Sequence, residues 1–219
     1  MRALDLFCGA GGATRGLQQA GFHVTGVDLV HSPRYCGDNF SQLDALKMFP
    51  RVLQAFDFIW ASPPCQAHTA MRTMHNAKSH ADLIPATRAM LKAAGVPYVI
   101  ENVEGAPLEN AVTLCGTMFH LGAAGAELRR HRIFETSFPV SPKPQCSHGA
   151  GADVLGIYGG HVRNRSRTSG SRGKPDFTAD DGAAAMGVDW MTLGELSQAI
   201  PPADSLFLAR QWLATKDLF

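Results

Sequence analysis

The sequence predicts an α/β fold built on a doubly wound, mostly parallel sheet. Three observations lead there. Apolar runs of strand length alternate with stretches of helical spacing through the first half of the chain, unusual loops follow directly on three of those runs, and no run approaches membrane-spanning length. With 219 residues and 45% apolar content, the chain can bury one substantial core and a small appended lobe.

The elements follow in order. "RALDLFC" is a short buried strand ended by "GAGG", and "GATRGLQQAG" has helical spacing with a stop at Gly21. "FHVTGVDL" is a second strand and "FDFIWA" a third. Between them, "FSQLDALKMF" fits helix and strand equally. "SHADLIPATRAMLKAAG" is a helix closed by Gly95, its Arg88 reading as an ordinary exposed arginine, and "PYVIENV" is a further strand. Ligands of such sheets bind beyond the carboxyl ends of the strands, near the topological switch point. The loops "CGAGG", "SPPCQ" and "ENVEG" are therefore expected together on one rim.

Composition changes after about Phe138. The stretch to Gly182 is rich in Pro, Gly, Ser and Arg and has little regular periodicity. No acidic residue falls between Val154 and Pro175, whereas Arg163, Arg165, Arg167, Arg172 and Lys174 are all basic. It reads as a small irregular lobe. "TLGELSQAIPPADSLFLARQWLATK" then returns to a helix start, an Ile-Pro-Pro break and a closing amphipathic helix.

Charge and cysteine usage narrow the class. The net charge of +1 gives no global field toward nucleic acid, so any basic surface is local. Five scattered cysteines, an odd number in a chain this size, favour reduced thiols in a cytosol-like compartment. The N-terminus lacks the apolar run of a signal peptide, so a soluble intracellular protein is expected. Cys146 and His148 in "QCSHG" offer two ligands at C-x-H spacing, with Cys115 distant in the sequence. That falls short of a closed four-ligand set, and no metal site is expected.

Two loops carry candidate chemistry. The glycines of "DLFCGAGG" do not follow the G-x-G-x-x-G spacing, and alone they fit a bland tight turn as well as a ligand loop. Asp28 at the end of "GVDL" stands where a carboxylate commonly takes ribose hydroxyls, which favours a nucleoside-containing cofactor. Cys65 follows Pro63-Pro64 at a strand exit, where a rigid lead-in could hold a nucleophilic thiol; an inert buried thiol is the alternative. Glu101 is either a solvated loop carboxylate or, in a pocket that raises its pKa, a proton donor to a heteroaromatic ring.

"DLFCGAGG", "SPPCQ", "ENVEG" and "LRRHRIF", in this order, resemble the cytosine-C5 DNA methyltransferase family over about residues 3 to 136. "LSQAIPPA" resembles a diverged form of the family's last motif. The resemblance implies an S-adenosylmethionine-dependent, Rossmann-like methyltransferase sheet. It divides the chain into a catalytic and cofactor-binding domain (1–136), a small basic target-recognition segment (137–182) and a C-terminal segment packing back on the first (183–219). Phe7, Gly9, Gly11 and Gly12 would line the S-adenosylmethionine, with Asp28 on its ribose, Asp44 on its adenine, and Gln198 and Ala199 beside it. Cys65 would attack C6 of a flipped cytosine, Pro64 fixing the loop. Glu101 would bind N3 and the exocyclic amine, supported by Asn102. Arg132 and Arg130 would bind the base carbonyl and the acid.

The implied partner is double-stranded DNA, with Arg163, Arg165, Arg167, Arg172 and Lys174 repaying the cost of flipping the base. A solvated loop is the alternative for that stretch. A monomer in the cytoplasm of a bacterial or phage-infected cell is expected, since compact members resemble phage or prophage enzymes, some of restriction–modification type. Two departures stand out: Leu128 replaces the family's glutamine, and Gln198 occupies an asparagine slot. RNA as the substrate, or a silent or altered-donor DNA-binding relative, stay open as alternatives.

Overall fold

The computed structural model describes residues 1–66, 68, 81–141, 145–165 and 176–216. Its main sheet has seven strands in the order β3-β2-β1-β4-β5-β9-β6. These are β1 (Arg2–Leu6), β2 (His23–Asp28), β3 (Asn39–Gln42), β4 (Phe58–Ala61), β5 (Tyr98–Asn102), β6 (Val112–Leu114) and β9 (Arg132–Thr136). The first five run parallel, whereas β9 pairs antiparallel with both β5 and β6. The ambiguous "FSQLDALKMF" resolves into β3 and a 3-10 turn over Ala45–Lys47.

Helices cover both faces, as the sequence predicts. Every residue of β4 is fully buried; Phe58 and Trp60 pack on one face with Leu17, Leu208 and Trp212, and Ile59 and Ala61 on the other with Leu91. The first face is covered by α1 (Gly12–Gln19) and α6 (Pro202–Lys216), the second by α2 (Pro50–Leu53) and α3 (Ile84–Ala94). Gly95 ends α3 in the left-handed conformation, the stop that the sequence predicts. The order reverses between β1 and its neighbours β2 and β4, so the switch point opens at the carboxyl end of β1.

The lobe is more regular than its composition suggests. A second sheet runs β11-β10-β8-β7, with β7 (Gly122–Ala123), β8 (Ala126–Leu128), β10 (Asp153–Tyr158) and β11 (His161–Asn164). Two helices, α4 (Ala179–Met186) and α5 (Leu193–Gln198), supply Met186 and Leu196 to its core beside Leu128, Leu155 and Ile157. This corrects the expected 137–182 boundaries. Two of its strands precede β9 in sequence, and its helical cover runs past 182, because so short a sheet needs both to bury one face. No helix among the described residues is long and apolar enough to cross a membrane.

Candidate active site

The three unusual loops do meet on one rim, around a cleft of about 580 Å³. The first leaves β1 through Phe7, a non-glycine residue at φ +60, held by the Phe7 and Cys8 N–H groups donating to the Val27 carbonyl. At Gly12 a side chain is excluded: a Cβ would lie 2.6 Å from the Ile200 carbonyl oxygen and 3.2 Å from Ala199 Cβ. "GAGG" and "SQAIP" therefore form one wall, pinned by the Trp190 indole N–H donating to the Ala10 carbonyl at 2.8 Å. Gly9, by contrast, faces open space.

Carboxylates close the next side. Asp28, at the end of β2, accepts the N–H groups of Gly9 (2.9 Å) and Val30 (3.0 Å). Asp44 caps the turn after β3 by accepting from the Leu46 N–H at 3.1 Å. Both line the cleft, as do Phe7, Gly9, Gly12, Gln198 and Ala199. Gly11 turns the loop at φ +91 just behind them.

The Pro-Pro exit explains the placement of Cys65. Ser62 ends β4's run with its N–H on the Leu6 carbonyl, and two prolines then fix the backbone. Asn102, 1% exposed at the end of β5, donates its side-chain N–H to the Pro63 carbonyl at 2.9 Å and accepts the Val103 N–H at 3.0 Å. The loop is thus bolted to the neighbouring strand, with Pro64 and the half-buried Cys65 on the cleft wall.

Glu101 and Arg132 complete this end, Arg132 Nε lying 3.3 Å from Glu101 Oε1. Arg132 also donates Nη1 to the His131 carbonyl at 2.8 Å. Burial pushes the Glu101 carboxyl above its usual range, against the pull of Arg132 and a hydrogen bond from Ser62. Burial, and then the charge of Glu101, push the Cys65 thiol up as well, with Arg132 opposing. A resting thiol beside a carboxyl that can hold a proton suits a ring substrate: once Glu101 is neutral or engaged, Arg132 is left to favour the thiolate.

A model of the family described as C-5 cytosine-specific DNA methylase matches residues 1–114. The chain belongs to that family. It is a DNA cytosine-5-methyltransferase, and its cofactor is S-adenosylmethionine. No curated protein sequence matches it. Among solved structures it is similar to the putative DNA modification methyltransferase of an Escherichia coli prophage (TM-score 0.63, 12% identity, 99% of each chain). It is also similar to a Spodoptera frugiperda DNMT2 mutant (0.62, 11%, 97% of this chain and 100% of that one). A third is S. pombe Dnmt2 (0.59, 14%, 98% and 99%). These likenesses bear out the fold.

The cleft fits the cofactor: it offers two carboxylates for polar groups and an unobstructed backbone at Gly9. Asp5, inside a strand whose sequence marks it as buried core, also lines it. Its Oδ2 accepts from the Thr14 hydroxyl at 2.6 Å, while the buried Oδ1 has no partner among the described residues. Burial raises this carboxyl to about 7.

Several expectations need correction. The structure does not place Arg130 on the substrate wall. It is 3% exposed and donates to the carbonyls of Ile157 (3.0 Å), Ser197 (2.8 Å) and Ala199 (2.7 Å), clamping the lobe to the "SQAIP" segment. Arg88 is not free on the surface either; it forms a bidentate pair with Glu135 and donates to the Pro107 carbonyl at 2.7 Å. Arg163 is paired with Asp176 at 2.6 Å, and Arg165 lies over the Tyr158 ring. Arg167, Arg172 and Lys174 lie outside the described residues. Leu128 fills the lobe core at 1% exposure, so the family's polar residue has no polar site here. Cys115 is distant from Cys146 and His148 only in sequence: the fold brings all three together with His131.

Proposed function

We propose that the enzyme methylates C5 of a cytosine flipped out of duplex DNA, through a covalent bond between Cys65 and C6 of the base. The observation that carries this is the meeting of Cys65, Glu101 and Arg132 at one end of the cleft whose other end holds Asp28 and Asp44. S-adenosylmethionine supplies an electrophilic methyl group there. C5 of cytosine is a weak nucleophile until the Cys65 thiolate adds at C6 and Glu101 offsets charge at N3. The Asn102–Pro63 bond holds the thiol on the cleft wall during that attack. After methylation the C5 proton leaves to solvent in the cleft, the C6–S bond breaks, and aromaticity returns.

C6 is unreachable inside a duplex, so flipping costs a few kcal/mol that backbone contacts must repay. The lobe offers a groove of about 940 Å³ lined by Tyr158, Asn164 and Arg165, and we assign phosphate contacts to Arg165 on this face and to the nearby Arg163, which would exchange its Asp176 partner for a phosphate. One chain carries every residue the chemistry uses, so a monomer suffices. The likeness to a prophage enzyme supports a phage or bacterial setting.

The test is transfer of labelled methyl groups to duplex DNA and to RNA of matched sequence, with methylated positions read by bisulfite sequencing. We expect 5-methylcytosine in DNA, and none with Cys65→Ser despite intact cofactor binding. Turnover by that variant would refute the covalent step, and label in RNA alone would refute the substrate. No label on either polymer, with cofactor bound, would mean a silent or altered-donor relative.

A further inference from the structure

Cys115 follows β6 at the edge of the main sheet, His131 stands immediately before β9, and Cys146 and His148 come from the segment leading to β10. One ligand atom from each lies within 4.8 Å of all the others. Cys115 Sγ is 3.4 Å from His148 Nε2, and His131 Nε2 is 3.3 Å from Cys146 Sγ. A tetrahedron with zinc–sulfur and zinc–nitrogen bonds of about 2.3 and 2.0–2.1 Å has edges of about 3.4–3.8 Å. Both separations are sulfur–nitrogen pairs and lie within about 0.3 Å of that pair's edge of about 3.5–3.6 Å, and all four atoms fall within 4.8 Å of one another, so shifts of about 1 Å or less would close a four-ligand shell.

The surroundings hold the ligands in place independently of one another. Glu127, on β8, accepts the Gly149 N–H at 2.9 Å, and Arg129 donates to the Gly149 carbonyl at 2.8 Å, so the loop carrying His148 is pinned to the lobe's sheet. Thr117 accepts the Ser147 N–H at 3.4 Å. Its hydroxyl, 3.3 Å from Cys115 Sγ, is then free to donate to a thiolate there. A hydrogen bond of that kind is how proteins orient a metal-bound sulfur. Mere polar packing does not require two thiols and two imidazoles from three chain segments to converge on one point, least of all with Cys146 and His148 exposed.

We propose that Cys115, His131, Cys146 and His148 bind a structural zinc ion that staples the recognition lobe to the edge of the catalytic sheet. Four protein ligands leave no open position, which makes the site structural, with no part in the chemistry. Its reach into function is through position. His131 accepts Arg132 Nη1 on its carbonyl, and Arg132 faces Glu101, so fixing His131 steadies the arginine at the base-binding end.

The test uses the whole protein, expressed with added zinc and purified under reducing conditions without chelator, its metal counted by mass spectrometry. We expect about one zinc per chain, and a visible ligand-field absorption when cobalt replaces it, as tetrahedral thiolate sites give. Cys146→Ser and His148→Ala change exposed residues, so each is expected to keep the circular dichroism of the fold while losing most of the metal. Cys36→Ser should keep it. Less than about a tenth of an equivalent of zinc with no cobalt absorption would overturn the proposal. So would a Cys115–Cys146 disulfide in the reduced preparation, or a Cys146→Ser variant that retains its full zinc.

Discussion

Replacing Asn102 with alanine tests whether the Cys65 loop is held from β5. The substitution leaves the buried Pro63 carbonyl without its donor and the Val103 N–H without its acceptor. A buried polar group stripped of its partner costs about 1–3 kcal/mol, and two such groups, one only partly buried, sum to about 2–4 kcal/mol of lost stability. Urea melts read that number directly. Calorimetry should find cofactor affinity within about threefold of the parent, because the glycine loop hangs from β1 and β2, whereas single-turnover methylation should slow by more than about tenfold as the thiol loses its fixed position. A variant that melts at lower urea yet transfers methyl groups at the parental rate would refute the positioning role of Asn102.

Other residues give independent tests. Asp28→Ala removes a charged acceptor from the cofactor wall and should weaken S-adenosylmethionine binding by about 1.5–3 kcal/mol in calorimetry; unchanged affinity would reassign that strand end. Asp204 is fully buried at the start of α6, and burial, then the charge of Glu101, raise its carboxyl to about 8. The folded chain therefore binds more protons than the unfolded one between about pH 4 and 8, and stability should fall as pH rises through that window. Asp204→Asn removes this slope and should melt higher than the parent at pH 8.5. Asp5, raised to about 7, adds a slope of its own, but parent and variant share it, so the difference between the two proteins isolates Asp204. Replacing Arg163, Arg165 and Arg167 together by alanine should flatten the salt dependence of DNA affinity, each lost phosphate contact removing about 0.9 from the log–log slope. An unchanged slope would place the DNA elsewhere.

The parallel strands were legible because burial on both faces writes a continuous apolar run: "FIWA" cannot face water on either side. The rim was legible for a different reason, since Gly12 and the Pro-Pro exit answer to backbone constraints that few other residues meet. The lobe hid behind its composition. Yet "DVLGIY" and "HVRN" flank Gly159-Gly160, and two short runs around a Gly pair are a hairpin signal that the abundance of Ser, Gly and Arg obscured. Arg130 could not be placed from sequence because its carbonyl partners come from segments 27 to 69 residues away. Asp204 reads as an ordinary acid in a helix's first turn, and only the packing of α6 against the sheet buries it. The Cys115–His131–Cys146–His148 cluster fails the usual spacing rules because three segments, joined only by the fold, supply it.

The covalent role of Cys65 has the most direct test. A duplex carrying 5-fluorocytosine at the methylated position should trap the enzyme: Cys65 adds at C6 and the methyl group is delivered, but fluorine cannot leave C5 as a proton does, so the C6–S bond cannot break. A denaturant-resistant protein–DNA adduct is expected only when S-adenosylmethionine is present, with mass spectrometry locating it on Cys65 and Cys65→Ser forming none. An enzyme that methylates ordinary duplex DNA yet leaves the fluorinated strand unlinked, or whose adduct maps to another residue, would contradict the assignment of Cys65 as the nucleophile.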